Sequence, residues 1–177
     1  PDDHGVVTDY KRADTFRALA AERGDSVAGL AHRYALAVDG RDLDALVALF
    51  VPDVRVGRDA SGHVALREDF DQQLRGIGVS ILFVGNHVID FDDDAHAHGV
   101  VYCKAEVQEG ANWSHQAIQY QDTYEKRDGR WYFVRRKHLL WYAAHQEKSP
   151  LDQPPVGWPH GTTGRGTIPE SLSSWQR

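Results

Sequence analysis

The stretch that decides the fold is Val27–Phe50, VAGLAHRYALAVDGRDLDALVALF. Its apolar residues recur at three- and four-residue spacing on either side of Gly40, which predicts two short helices with a break at that glycine. Ser26 can cap the first helix, and Pro52 marks the end of the second. The pair forms one apolar wall.

Two residues of this wall are candidates for chemistry. Tyr34 lies on the apolar stripe of the first helix, and Asp39 stands where that helix ends. An acid at a helix end most often serves as a cap or as a solvated charge. An isolated aspartate has a pKa of about 3.9, so Asp39 becomes a useful base only through burial or a partner.

Composition indicates an ordinary globular protein. Of the 177 residues, 41% are hydrophobic and 26% are charged, and no apolar run reaches the length of about 18 residues that a membrane helix needs. The net charge of −6 and the lack of a basic run argue against a nucleic-acid partner. The single Cys103 leaves no intrachain disulfide and fits a cytoplasmic location.

The second half of the chain has the composition of strands. Four stretches follow one another, at Val79–Phe91, His96–Val107, Ser114–Lys126 and Arg130–Tyr142. The Asp128-Gly129 pair is a two-residue hairpin signal, so these stretches predict a meander of antiparallel strands. Helices followed by a sheet define the α+β class.

We expect three parts. Residues 1–24 form an extension with a peripheral helix at Tyr10–Arg23, residues 25–145 form the α+β domain, and residues 146–177 form an irregular Pro- and Gly-rich extension. The domain includes a third helix at Val64–Leu74. Trp158 and Trp175 indicate that the tail docks on the domain or on a neighbouring subunit.

No motif indicates metal, nucleophilic or cofactor chemistry. His96 and His98 alternate beside an acidic turn, but spacing supplies no third metal ligand. The chain has no Gly-x-Ser-x-Gly motif, phosphate-binding loop or dinucleotide fingerprint. We therefore expect neither a metal nor a cofactor.

Acid–base chemistry in a cavity between the sheet and the helices remains. Ile118, Tyr120 and Asp122 alternate on one strand and share a face with apolar residues. An aspartate there is desolvated, so it either carries a proton or is held by a neighbouring arginine such as Arg135 or Arg136.

His138, on the last strand, is either a hydrogen-bonded core histidine or a functional one.

Three segments resemble the SnoaL-like branch of the nuclear transport factor 2-like superfamily: RYALAVDGRDLDALVALFVPDV, FVGNHVIDFDDDAHAHGVVY and QAIQYQDTYEKRDGRWYFVRRKHLLWY. The resemblance spans residues 26–142. It implies a cone-shaped, strongly bent antiparallel sheet wrapped around helices, a pocket inside, and a dimer or trimer. Members of this superfamily include scytalone dehydratase, bile-acid dehydratase, hexachlorocyclohexane dehydrochlorinase and polyketide cyclases, which mostly move protons on apolar ring-shaped substrates without cofactors.

The resemblance also assigns roles. In the eliminating members an Asp at the end of the first helix pairs with a His on the first long strand, and Asp39 matches that Asp, with Tyr34 matching a pocket tyrosine. The histidine position, four residues before Asn86, holds Leu82. Strand parity turns Asn86 towards the pocket and His87 away from it, and a bulge would reverse both.

Three functions stay open. The first is a cofactor-independent lyase, isomerase or cyclase that moves protons on an apolar, polyketide- or steroid-like molecule. The second is a non-catalytic small-molecule binding protein, and the third is an accessory subunit of an oligomeric enzyme. The expected site residues are catalytic Asp39, Tyr34, His138 and Asp122, and substrate-binding Phe50, Leu82, Asn86, Tyr102, Ile118 and Tyr120. We expect a homo-oligomer and no nucleic-acid or membrane partner.

Overall fold

The computed structural model describes residues 26–152. The helix predicted at Tyr10–Arg23 and the docking predicted for Trp158 and Trp175 lie outside the described residues. The elements are α1 (Val27–Gly40), α2 (Leu43–Val47), β1 (Arg55–Val56), β2 (Ala60–Ser61), α3 (Gly62–Arg75), β3 (Ser80–Phe91), β4 (His96–Glu109), β5 (Asn112–Arg127), β6 (Arg130–Gln146) and a 3₁₀ turn at Pro150–Asp152. Helices precede a bent antiparallel sheet, which confirms the α+β class.

The break between the first two helices falls where the sequence predicts it. Helix α1 ends at Gly40, but Arg41 is the residue that adopts the left-handed conformation, with φ of 56°. A non-glycine residue is tolerated there because its buried guanidinium donates to the carbonyls of Val38 and Gly78 and to the hydroxyl of Ser80. The side chain of Arg41 therefore ties the helix end to the start of β3.

The main sheet has the order β3-β4-β5-β6, so each strand pairs with its neighbour in sequence. The last connection is the predicted hairpin, with Asp128 and Gly129 at φ of 51° and 81°, as a type I′ turn requires. The helices cover one face of the sheet. Apolar residues of α1 and α2 pack there with buried side chains that include Ala97, Tyr124 and Phe133.

A bulge in β3 changes which side chains face the helices. The register shifts between Val84 and His87, so that Gly85 and Asn86 together lie opposite Tyr102 of β4. After the shift His87 is half-buried and Asn86 is exposed. The parity prediction for these two residues is therefore wrong, because simple alternation assumes an unbroken ladder.

Tyr102 also lies elsewhere than predicted. Its neighbours Val101 and Cys103 take inner positions, whereas Tyr102 is 42% exposed on the outer face, with its ring 6.1 Å from the ring of Trp141. The interpretation of Tyr102 as a pocket aromatic is wrong, because its place in the alternation of β4 turns it outwards.

Gly99 of β4 lies where two other groups approach closely. A Cβ at this position would lie 2.6 Å from the carbonyl oxygen of Val88 and 3.2 Å from the ring of Tyr124. The absence of a side chain therefore lets β3 pass close to β4 and lets the Tyr124 ring lie over the strand.

We expect Gly99→Ala to lower the free energy of unfolding by about 1–3 kcal/mol, because the backbone of β3 has to shift. Urea denaturation measures this loss. Gly40→Ala is the matched control, since a Cβ there meets no atom within 4 Å. Equal stability of the two variants would show that the β3–β4 contact is looser than described.

Candidate functional site

A cavity of about 830 Å³ lies between α1, α3, residues 51–57 and the inner face of β5 and β6. Its walls combine apolar and aromatic side chains with a comparable number of polar and charged ones. The lining residues on which the site depends are Tyr34, Phe50, Phe70, Tyr120, Arg136 and His138.

Tyr34 is the centre of an aromatic cluster. Its ring meets those of Phe50, Phe70, Tyr120 and Phe133 edge-on, with centroids 6.5, 6.2, 5.9 and 6.2 Å away. Such pairs stabilise by about 0.5–1.5 kcal/mol each beyond their burial. The spacing of α1 thus delivers the predicted pocket tyrosine to the point where helices and sheet meet.

A buried ion pair lies beneath the cavity floor. Arg136 donates from Nε to Oδ1 of Asp122 at 2.9 Å and from Nη2 to Oδ2 at 2.6 Å, and the two side chains are 4% and 0% exposed. The guanidinium also lies 4.4, 4.3 and 4.4 Å from the ring centres of Tyr34, Tyr120 and Phe133. Of the two alternatives for Asp122, the structure shows the arginine-bound one, with Arg136 as the partner.

Arg136 and Asp122 differ in their position relative to the cavity and therefore in their roles. Arg136 lines the cavity, whereas Asp122 lies behind it and does not line it. Asp122 therefore orients Arg136 instead of meeting a ligand, because a bidentate pair sets both the position and the plane of the guanidinium. The prediction that Asp122 is a catalytic residue of the cavity is corrected accordingly, because Asp122 does not line it.

Three residues that line the cavity can donate hydrogen bonds: Arg136 through Nη1, which is not bonded to Asp122, and Tyr34 and Tyr120 through their hydroxyls. Burial raises the pKa of both tyrosines, so the phenols stay protonated at neutral pH. Together these donors suit an oxygen atom that carries or develops negative charge.

His138 supplies a proton acceptor on the same wall. Its ring centre lies 5.5 Å from that of Tyr120, and the residue is exposed to solvent while it lines the cavity. Burial of the ring, together with the charge of Arg136, lowers the pKa of His138. The imidazole is therefore neutral at neutral pH, as a general base must be.

Asp39 lies at a different place. Its Oδ1 accepts from the hydroxyl of Ser80 at 3.0 Å, and its Oδ2 accepts from the backbone N–H of Leu82 at 2.9 Å. It does not line the cavity described above. Burial raises the pKa of Asp39, while the hydrogen bonds from Leu82 and Ser80 and the charge of Arg41 oppose that shift. The carboxylate ties α1 to β3.

The remaining predicted site residues divide into three groups. Phe50 and Tyr120 line the cavity. Leu82 and Ile118 lie on the inner face but pack in the core, and Asn86 and Tyr102 lie on the outer face. These placements remove Asn86 and Tyr102 from the candidate site.

Of the six lining residues on which the site depends, two were not predicted as site residues from the sequence. Arg136 entered only as a partner of Asp122, although its alternation with His138 on β6 was a usable signal. Phe70 was read only as part of the apolar stripe of α3.

The turn between β3 and β4 does not form a metal site. His96 Nδ1 meets Asp93 at 2.9 Å, and no group of three or more His, Cys, Asp or Glu residues within the described range could hold a metal ion. Within the same range, no helix is both long and apolar enough to cross a membrane.

We expect Asp122→Asn to lower the free energy of unfolding by about 3–5 kcal/mol, because it leaves the Arg136 charge buried and unpaired. Glu125→Gln is the matched control, since its ion pair with Arg127 at 2.8 Å lies near the surface and should contribute much less. Chemical denaturation compares the two. A loss for Asp122→Asn no larger than that for Glu125→Gln would contradict the burial of the pair.

Comparison with known proteins places this geometry in a family. The model of the SnoaL-like domain matches residues 19–137. A scytalone-dehydratase-like protein from Novosphingobium aromaticivorans is 23% identical with a TM-score of 0.60, and the match covers 73% of this chain and 90% of that one. The hexachlorocyclohexane dehydrochlorinase LinA-type3 from Novosphingobium barchaimii is 18% identical with a TM-score of 0.63, and the match covers 75% and 94%.

At these identities the two solved structures establish the shared fold alone. No curated protein matches the sequence significantly. The family model, in contrast, covers more than half of the chain. The chain therefore belongs to the SnoaL-like domain family.

Proposed function

We propose that this protein is a cofactor-independent lyase, isomerase or cyclase that moves protons on an apolar, ring-shaped molecule, polyketide- or steroid-like. The observation that carries the proposal is the cavity in which three hydrogen-bond donors, from Tyr34, Tyr120 and Arg136, share a wall with the neutral base His138. The two similar proteins, one scytalone-dehydratase-like and the other a hexachlorocyclohexane dehydrochlorinase, support the same kind of chemistry.

The roles follow from the chemistry of each group. His138 takes a proton from a carbon next to a carbonyl group, and the electron pair of the broken C–H bond moves onto the carbonyl oxygen. Arg136 Nη1 and the hydroxyls of Tyr34 and Tyr120 hold that oxygen as its charge develops. In an isomerisation, the electron pair returns from the oxygen and forms a C–H bond at another carbon with the proton of protonated His138. In an elimination, the returning pair re-forms the carbonyl, a C=C bond forms as the bond to the leaving group breaks, and His138 protonates the leaving group. Asp122 keeps Arg136 in place.

Asp39 is the alternative base, because the resemblance to the SnoaL-like family matches it to the catalytic aspartate. Its raised pKa would suit that role, but both carboxylate oxygens accept hydrogen bonds at the α1–β3 junction. We place His138 first because it lines the same cavity as the three donors.

2-Tetralone is a suitable probe, since it is an apolar bicyclic ketone with acidic protons next to its carbonyl. In D₂O the protein is expected to accelerate deuterium uptake at those carbons, followed by NMR. His138→Gln should lower the accelerated rate by about 10²- to 10⁴-fold, the usual effect of a general base. Activity should fall only below the ordinary histidine pKa of about 6.5, because the base form of His138 persists to lower pH.

His98→Gln is the matched control, because His98 is exposed and does not line the cavity. The Asp39→Asn variant distinguishes the two candidate bases. Full activity of this variant would exclude Asp39. If Asp39→Asn is folded but inactive and His138→Gln is active, Asp39 is the base. If NMR shift changes show that 2-tetralone binds but its deuterium uptake stays at the buffer rate, the result would reject the enzyme and favour the binding-protein alternative.

We also propose that the protein is a homo-oligomer that associates through the outer face of the sheet. Large apolar side chains are exposed on that face: Ile81, Phe83, Val88, Tyr102, Trp141 and Tyr142. An exposed apolar surface of this kind marks a protein contact site in general. The cytoplasmic location and the accessory-subunit alternative stay predictions.

Phe83→Glu is expected to convert the oligomer into monomers, because it places a charge among the apolar side chains of that face, where Phe83 is 74% exposed. Light scattering coupled to size exclusion measures the mass. Val64→Glu is the matched control, since Val64 is 75% exposed on α3, away from the sheet. A monomeric wild-type protein at all concentrations would exclude the homo-oligomer, and the additional absence of a partner in a pull-down would count against the accessory-subunit alternative.

A further inference from the structure

A chain of hydrogen bonds leads from His87 to the cavity. His87 Nε2 lies 3.0 Å from the hydroxyl oxygen of Tyr124, and that hydroxyl donates to Oδ2 of Asp122 at 2.9 Å. Asp122 in turn accepts both hydrogen bonds from Arg136. The site described above accounts for Asp122 and Arg136 but not for His87 and Tyr124.

The chemistry of the four groups fixes the direction of every proton. Arg136 has only donors, and ionised Asp122 has only acceptors. The single hydroxyl proton of Tyr124 goes to Asp122. The Tyr124 oxygen can therefore only accept from His87, so Nε2 of His87 carries the proton and Nδ1 carries none.

The bare Nδ1 of His87 is buried and has no hydrogen-bond partner among the described residues. A buried acceptor without a partner lowers the stability of the folded protein, a loss that an apolar side chain at this position would avoid. Burial also lowers the pKa of His87, so the ring is neutral at neutral pH. Unlike an apolar side chain, His87 provides a hydrogen-bond donor at Nε2 for the hydroxyl oxygen of Tyr124.

Two backbone features bring the ends of this chain together. The bulge at Gly85 and Asn86 turns His87 to the inner face, and the missing side chain of Gly99 leaves room for the Tyr124 ring. Without the bulge, His87 would point to solvent, as simple alternation predicts.

We propose that His87 is a positioning residue that acts through Tyr124 and Asp122 to hold the Arg136 guanidinium with Nη1 in the cavity. The four residues form one unit in which each side chain restricts the next. The hydrogen-bond geometry stands by itself, and only its consequence for catalysis rests on the proposed function.

Nitrogen NMR of the full ¹⁵N-labelled chain tests this directly. Long-range ¹H–¹⁵N correlation is expected to show the Nε2–H tautomer of His87. In His87→Leu, which has no donor, the Nε–H of Arg136 should exchange with solvent roughly tenfold faster, the equivalent of one lost hydrogen bond. His87→Gln restores a donor and should recover most of the protection, whereas His98→Gln should behave as the wild type.

An Nδ1–H tautomer in the wild type would overturn the proposal, because the proton would then be at the wrong end of the ring. Unchanged Arg136 exchange in a folded His87→Leu variant would overturn it as well. If His87→Leu does not fold, the tautomer in the wild type decides alone. None of these readouts needs a substrate, so a failure of 2-tetralone exchange would reject the proposed function and leave the His87 result standing.

Discussion

The buried ion pair between Arg136 and Asp122 is the interaction on which the rest of the site depends. Removing two charges from water costs several kcal/mol per ion, and the attraction between them returns this only when the geometry is good and the remaining groups are hydrogen-bonded. Here the guanidinium is bidentate to Asp122, the second oxygen of Asp122 also accepts from Tyr124, and three aromatic rings surround the cation. Apolar residues of similar volume would often be as stable. The pair is therefore better explained by what it presents to the cavity than by its contribution to stability.

The sheet is adapted to this pair at two points. In β6 the register shifts where Thr123 pairs with Arg135 and Tyr124 pairs with Phe133, so Val134 is an extra residue beside the ion pair. The shift lets Phe133 and Arg136 both face inwards. The bulge in β3 likewise turns His87 to the inner face of the sheet. Both irregularities lie next to residues with polar functions, which is where bulges commonly re-aim side chains.

The helix break, the hairpin turn and the order of the strands could be predicted from the sequence, whereas the β-bulges and the position of the cavity could not. The helix break near Gly40 and the Asp128-Gly129 turn depend on neighbouring residues and the structure has both. The inward position of Tyr34 followed from helical spacing. The orientations of Asn86 and His87 failed because a one-residue bulge inverts alternation without any mark in the residue types. Arg136 was missed as a cavity residue because alternation places a side chain on a face but does not say whether a cavity opens there.

The position of Asp39 differs from what the family pattern implies. Asp39 stands where the resemblance places a catalytic acid, yet its carboxylate joins α1 to β3, while Tyr34, Tyr120 and Arg136 line the cavity. A crystal structure of the protein with 2-naphthol, an apolar bicycle with one hydroxyl, tests this most directly. The account predicts the naphthol oxygen within about 3 Å of Arg136 Nη1 or of the Tyr34 or Tyr120 hydroxyl. A naphthol oxygen bound to Asp39, or a ring bound outside the cavity, would contradict it.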